Sequence, residues 1–199
     1  MSAKSLPPII LASASPRRQR LLKEMGFEFT VIASEAPEAD SEHLTAVEIS
    51  QLNAYRKARA VAKKHPDALV LAADTVVYKD TKLFGKPADF EDAYRMLKQL
   101  QGGTHQVVTG VCLLHLRGHK QKMFAESTDV KFRHLDVKAI KEYIKETNPL
   151  DKAGGYGIQD NGDKIVEGVS GSYTNVVGLP VERLKEELSS WVSEEGGGI

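Results

Sequence analysis

With 199 residues, 27 basic against 27 acidic side chains and a formal net charge of zero, the chain suits one soluble domain or two small lobes sharing a core. Neutrality gives no whole-molecule field toward a nucleic-acid backbone or an anionic membrane, so an anionic ligand must be met by locally gathered cations. Sixteen Gly, eight Pro and 27% charged residues lie near globular averages and argue against disordered, collagenous and low-complexity classes.

The first 33 residues read as strand, turn, helix and strand. An apolar I-I-L-A-S-A runs into Ser15 and Pro16, which stand where an N-cap and a first helical residue belong, and Gly26 stops the helix. The leading P-P-I-I-L-A is too short for a secretory signal, and no apolar stretch approaches the about 20 residues that cross a bilayer, so a cytoplasmic protein is expected. Thr45 and Glu48 form a capping box opening a helix through Ala54, Ala58 and Val61 to about Lys64. D-A-L-V-L-A-A-D-T is a strand buried on both faces, ending at Asp74 and Thr75; K-D-T-K beyond it is a hairpin tip.

Asp89 caps a helix whose Phe90, Ala93, Leu97 and Leu100 share a face. Two long β-rich stretches follow, joined by R-G-H-K, and Cys112 within the first reads as a buried thiol without a disulfide partner. Asp136 caps a helix carrying Val137, Ile140 and Ile144. D-K-A-G-G-Y-G-I-Q-D-N-G is too rich in Gly for regular structure. A strand from Ile165 to Val169, a second strand around Val176 and a helix from Pro180 to about Trp191 complete a single domain over 1–192, with 193–199 a frayed tail. No repeat or linker composition interrupts the chain, so two lobes would have to share a sheet.

Several segments carry chemistry. In Ser13-Ala14-Ser15-Pro16-Arg17-Arg18, small hydroxyl residues at a strand end precede two guanidinium groups at a helix start. Cations there oppose the helix dipole, a local misfit that suits an anion site, since guanidinium binds phosphate bidentately. Asp74 lies at the end of a buried strand, where ligands of open α/β sheets collect, and can hold a divalent cation or take a proton from water. Gly85-Lys86-Pro87 fixes one lysine beside two conformationally special residues. Lys57 and Glu38 are unremarkable by themselves. There is no P-loop, no complete dinucleotide fingerprint, no H-E-x-x-H and no G-x-S-x-G, which argues against zinc and a serine nucleophile.

Taken in order, S-A-S-P-R-R, S-x-x-x-E, K-A, A-D-T, G-K-P and D-K-A-G-G-Y-G-I-Q resemble the Maf family of nucleoside triphosphate pyrophosphatases, over about residues 8 to 188. The resemblance implies an α/β fold with an elongated mixed β-sheet, flanking helices and two lobes around a cleft, related to the inosine triphosphatases. It further implies a divalent metal, Mg2+ or Mn2+, and a homodimer. Asp74 resembles the family's general base, and Ser13, Arg18, Lys57 and Lys86 the set holding a triphosphate. Glu38 would join Asp74 at the metal. Arg17, Thr75 and Gln159 resemble the trio of the dTTP and UTP hydrolysing subtype, for which modified pyrimidine nucleotides are further substrates. Two departures stand out: Pro37 precedes Glu38 where many members carry an acid, and Arg56 precedes Lys57 where many carry Glu.

The implied partner is a nucleoside triphosphate, with no nucleic acid and no membrane. The alternatives are a house-cleaning pyrophosphatase of different base preference and a nucleotide-binding regulator of cell division. The regulator could dispense with Asp74.

Overall fold

The computed structural model describes residues 6–39 and 43–193. Three buried residues make β1 (Ile9–Leu11), and the chain turns from it into α1 (Pro16–Glu24), whose N-cap Ser15 hydroxyl accepts from the Arg18 N–H. Gly26, at φ +82°, adopts the left-handed conformation that releases the chain from α1 toward β2 (Phe29–Val31). The capping box forms as the sequence predicts: the Glu48 N–H donates to Thr45 Oγ1 at 3.2 Å and the Thr45 N–H to the Glu48 carboxylate at 2.8 Å. It opens α2 (Ala46–Ala62).

The long apolar run becomes β3 (Leu69–Lys79), joined across Asp80 and Thr81 to β4 (Lys82–Phe84). Then come α3 (Phe90–Leu100), β5 (Thr104–His115), β6 (Lys120–Phe132) and α4 (Val137–Glu146). The Gly-rich segment forms two single turns of 3-10 helix, at Pro149–Asp151 and Ala153–Gly155. It leads to α5 (Gly162–Ile165), β7 (Val166–Ser170), α6 (Tyr173–Val177) and α7 (Val181–Ser193).

The strands form a mixed seven-stranded sheet in the order β2-β1-β3-β5-β6-β7, with β4 on β3. β1 pairs in parallel with β2 and β3, Ile9 facing Phe29 on one side and Leu69 on the other, while β3–β4 and β6–β7 are antiparallel. The chain divides into two units. One takes its described residues from 1–74, 109–126 and 178–199, the other from 75–108 and 127–177.

In the first unit Ala54, Ala58, Val61 and Ala62 of α2 pack on Ile10, Val70, Ala72 and Cys112 of the strands. Alanines along the contact let α2 sit close to the sheet. Gly110 is required by the same approach, since a Cβ there would lie 2.4 Å from the Ser50 carbonyl carbon. Cys112 is fully buried, and burial pushes its thiol up to about 12, as suits a core side chain rather than a nucleophile. In the second unit Val77, Leu97, Leu100, Phe132, Ile140, Tyr143 and Tyr156 form the core.

Three expectations are corrected. The residues around Val176 form helix α6, not a strand: the Ser172 hydroxyl accepts the Asn175 N–H at 3.1 Å as a helix cap would. Asn175, wholly buried, donates to the Val107 carbonyl and to Thr128 Oγ1, so tertiary bonding overrides the β-branched composition. Phe90 and Val137 do not join their helices' buried faces but stand 57% and 54% exposed. Each is the first residue of its helix, where a side chain tilts back past the packed turns. Ser193 belongs to α7 and not to a tail, and residues 194–199 lie outside the described ones. No helix among the described residues is long and apolar enough to cross a membrane.

Candidate active site

Within the first unit, β3 delivers Asp74 buried, 6% exposed, on the strand face that Val70 and Ala72 present to α2. Thr75 belongs to the alternate set of side chains and is half-buried. From α2, Asn53 and Lys57 lie one turn apart on the same helix face. The Lys57 ammonium donates to Asp74 Oδ1 at 2.6 Å and to Glu38 Oε1 at 2.6 Å, so one half-buried cation links two carboxylates. Asn53 Nδ2 donates to Asp74 Oδ2 at 3.2 Å and to the Ala39 carbonyl at 3.3 Å, while Asn53 Oδ1 accepts the Ala39 N–H at 2.7 Å. The loop carrying Glu38 is thereby bonded to the helix that holds Asp74.

Arg18 is set by two acceptors. Its Nε donates to the Gly178 carbonyl at 2.8 Å and its Nη1 to Ser13 Oγ at 3.1 Å. Ser13, itself buried, thus aims the guanidinium. Burial lowers the Arg18 pKa from its ordinary value; the Asp74 and Glu38 carboxylates pull it back up, and neighbouring Arg17 lowers it further. The first unit therefore brings together Ser13, Arg18, Glu38, Lys57 and Asp74, with Arg17 adjacent on α1.

The other three residues singled out from sequence, Thr75, Lys86 and Gln159, belong to the second unit. Lys86 is exposed, and the carbonyl of Gly85 before it accepts the Gly154 N–H at 2.9 Å, so the G-K-P and G-G-Y-G segments are bonded to each other. Gly154 and Gly155 hold φ near +71° and +74°, and a Cβ on Gly154 would press on Val77 and Leu100. Gln159 is exposed on the turn Gly157–Asp160, closed by the Asp160 N–H donating to the Gly157 carbonyl at 3.1 Å.

Asn53, Lys152 and Tyr143 were not singled out from sequence. Asn53 had one signal, a poor helix former four residues before Lys57 in an otherwise alanine-rich stretch.

For a divalent cation, Asp74 and Glu38 each place a carboxylate oxygen 2.6 Å from the Lys57 ammonium, so the two acids lie close enough together to serve as a pair of oxygen donors. Two hard oxygen donors suit a magnesium-like ion that takes its other ligands from water and phosphate. No cluster of three or more metal-ligating side chains occurs among the described residues.

A family model described as Maf-like protein matches residues 8–191. The dTTP/UTP pyrophosphatase of Acetivibrio thermocellus is 44% identical over 190 residues, covering 92% of this chain and 94% of that protein. The dTTP/UTP pyrophosphatase of Thermosipho africanus is 47% identical over 182 residues, covering 90% and 91%. Among solved structures, that of the Staphylococcus aureus Ham1 protein shares 18% identity, with a TM-score of 0.41 over 63% of this chain and 71% of that one.

Proposed function

This chain belongs to the Maf family, and we propose that it is a nucleoside triphosphate pyrophosphatase hydrolysing dTTP and UTP to the monophosphate and pyrophosphate. The observation that carries the proposal is the buried Asp74 carboxylate sharing the Lys57 ammonium with Glu38, with Arg18 in its field. A carboxylate offers about four acceptor positions, so the bonds from Lys57 and Asn53 leave Asp74 able to receive a water proton. Water attacks the α-phosphorus, its oxygen forms the new bond to phosphorus, and the bond to the bridging oxygen of pyrophosphate breaks. Asp74 takes the proton released. Arg17, Arg18, Lys57 and Lys86 offset the triphosphate charge, which is where most of the catalysis of phosphoryl transfer lies.

A bound Mg2+ or Mn2+ would be held by Asp74 and Glu38 and would supply charge neutralisation at the attacked phosphoryl group. We assign the base to Arg17, Thr75 and Gln159. An amide such as that of Gln159 can accept the N–H of uracil or thymine and donate to a flanking carbonyl, whereas cytosine lacks that N–H and leaves the pairing unmet. We further propose a cytoplasmic homodimer acting on free nucleotides, with no nucleic-acid or membrane partner. A regulator that only bound nucleotide would need the cations but not a buried carboxylate held by two donors.

The decisive variant is Asp74→Asn, which keeps the shape and removes the proton acceptor. Turnover of UTP should fall about a hundredfold or more, with KM changed less. Turnover near that of the unmodified enzyme in a folded variant would dismiss Asp74 as the base.

A further inference from the structure

Gln159 occupies the third position of a four-residue turn, Gly157-Ile158-Gln159-Asp160, and both ends of that turn are tied to groups from the interior of the second unit. At the first end the hydroxyl of Tyr143, a residue 1% exposed, accepts the Gly157 N–H at 3.1 Å and donates to the Gly157 carbonyl at 3.3 Å. At the last end, Lys152 Nζ pairs with Asp160 Oδ2 at 3.0 Å. That lysine is 7% exposed, and its ammonium also donates to Asp151 Oδ1 at 2.7 Å and the Asn148 carbonyl at 2.5 Å.

Gly157 is what lets the two meet. A Cβ there would lie 2.6 Å from the Asp160 carboxylate and 2.7 Å from Lys152 Cε, so the lysine stem crosses the turn through the space a side chain would fill. The ordering of a long, flexible lysine is entropically costly, and three acceptors converge to hold it. Nothing in the hydrolysis itself uses this ammonium.

We propose that Lys152 is a positioning residue for substrate selection: through Asp160 it fixes the turn that presents the Gln159 amide, and so sets discrimination between uracil-type bases and cytosine. The proposal rests on the assignment of Gln159 to the base. Discrimination by hydrogen bonding needs the amide held to a fraction of an ångström, because a loose amide satisfies either base equally badly. Lys152 therefore acts on selectivity and on KM for the preferred base, not on the chemical step at phosphorus.

The test uses the intact chain with Lys152→Met, Asp160→Asn, Asp151→Asn and Gln159→Ala. kcat/KM is measured for UTP and CTP, and hydrogen exchange is measured on the segment containing 157–161. Lys152→Met and Asp160→Asn should each lower the UTP-over-CTP ratio about tenfold, through a higher KM for UTP, and speed exchange in that segment. Asp151→Asn, which leaves the Lys152–Asp160 pair intact, should keep both close to the unmodified protein. An unchanged ratio in Lys152→Met and Asp160→Asn, with Gln159→Ala collapsing it, overturns the positioning role and leaves the Gln159 assignment standing. An unchanged ratio in Gln159→Ala refutes the base assignment itself, and with it a role for Lys152 in selection. Exchange that stays slow in both Lys152→Met and Asp160→Asn also overturns the proposal, since the turn would then hold without the lysine.

Discussion

Asn53 stands inside an alanine-rich helix against its own preference, and its side chain makes three hydrogen bonds, to Asp74 and to both backbone groups of Ala39. The amide pairs with Ala39 as a neighbouring strand would, which is why the loop bearing Glu38 can be ordered without being a strand. Asn53→Leu keeps the branching of the side chain but strands the Ala39 N–H and C=O and one Asp74 oxygen. It should cost about 2 kcal/mol of stability, read as a lower urea midpoint with an unchanged slope. An unshifted midpoint would mean that water replaces these bonds without loss. Arg18 and Lys86 were legible in the sequence because each sits near where an element begins or ends, a position marked by composition. Asp74 was legible as an acid in a buried apolar run, but β3 continues past it to Lys79, so the strand end expected at Asp74 and Thr75 is corrected. Asn53 was not, because its partner is 21 residues away and the contact exists only once α2 lies over β3. Lys152 was hidden in a different way: its motif was conspicuous for glycine, and the lysine's role depends on where that glycine lets its stem pass.

Elements were read from sequence where caps and breakers agreed with periodicity. The Thr45 and Glu48 box, the Ser15-Pro16 start and the Asp89 and Asp136 caps all formed. Reading failed at α6, where β-branched residues indicated a strand and a buried asparagine with a serine cap decided for helix. β5 places His105 where composition gives no hint of its surroundings, edge-on to Phe132 and Tyr156, with Nε2 2.7 Å from the Tyr156 hydroxyl and Nδ1 without a partner among the described residues. Burial, and secondarily the Lys79 charge, lower its pKa from 6.5 to about 4. The unfolded chain therefore binds the proton more readily than the folded one between those values, and stability falls as pH drops from about 6.5 toward 4. The loss from this group reaches about 3 kcal/mol at the lower end and grows no further below it. Comparing urea midpoints at pH 7 and pH 4.5 checks the effect. The acid-induced decrease should be smaller in His105→Gln by a large part of that amount, and an equal decrease in both proteins would show that His105 is protonated in the folded state.

For the whole molecule, zero net charge required that any anion site be local, and the first unit meets that requirement with Arg18 and Lys57 on two different helices converging on Asp74. Composition and periodicity could announce an α/β chain but not the sheet order, because β1 lies between strands that come 20 and 60 residues later, and such pairings leave no local trace. Motifs spaced along the chain pointed to the chemistry more directly than any element did, since phosphate binding restricts residue types at a few points and leaves the scaffold free. The claim on which the rest depends is that this site directs water to the α-phosphorus of a uracil-type nucleotide. Hydrolysis of UTP, dTTP, CTP, ATP and GTP in 18O-enriched water with Mg2+, with products resolved by mass, tests it most directly. UTP and dTTP should be consumed in preference to the other three, yielding pyrophosphate and a monophosphate that carries the 18O label. Label appearing in inorganic phosphate or pyrophosphate instead, or a preference for a purine nucleotide, would contradict it.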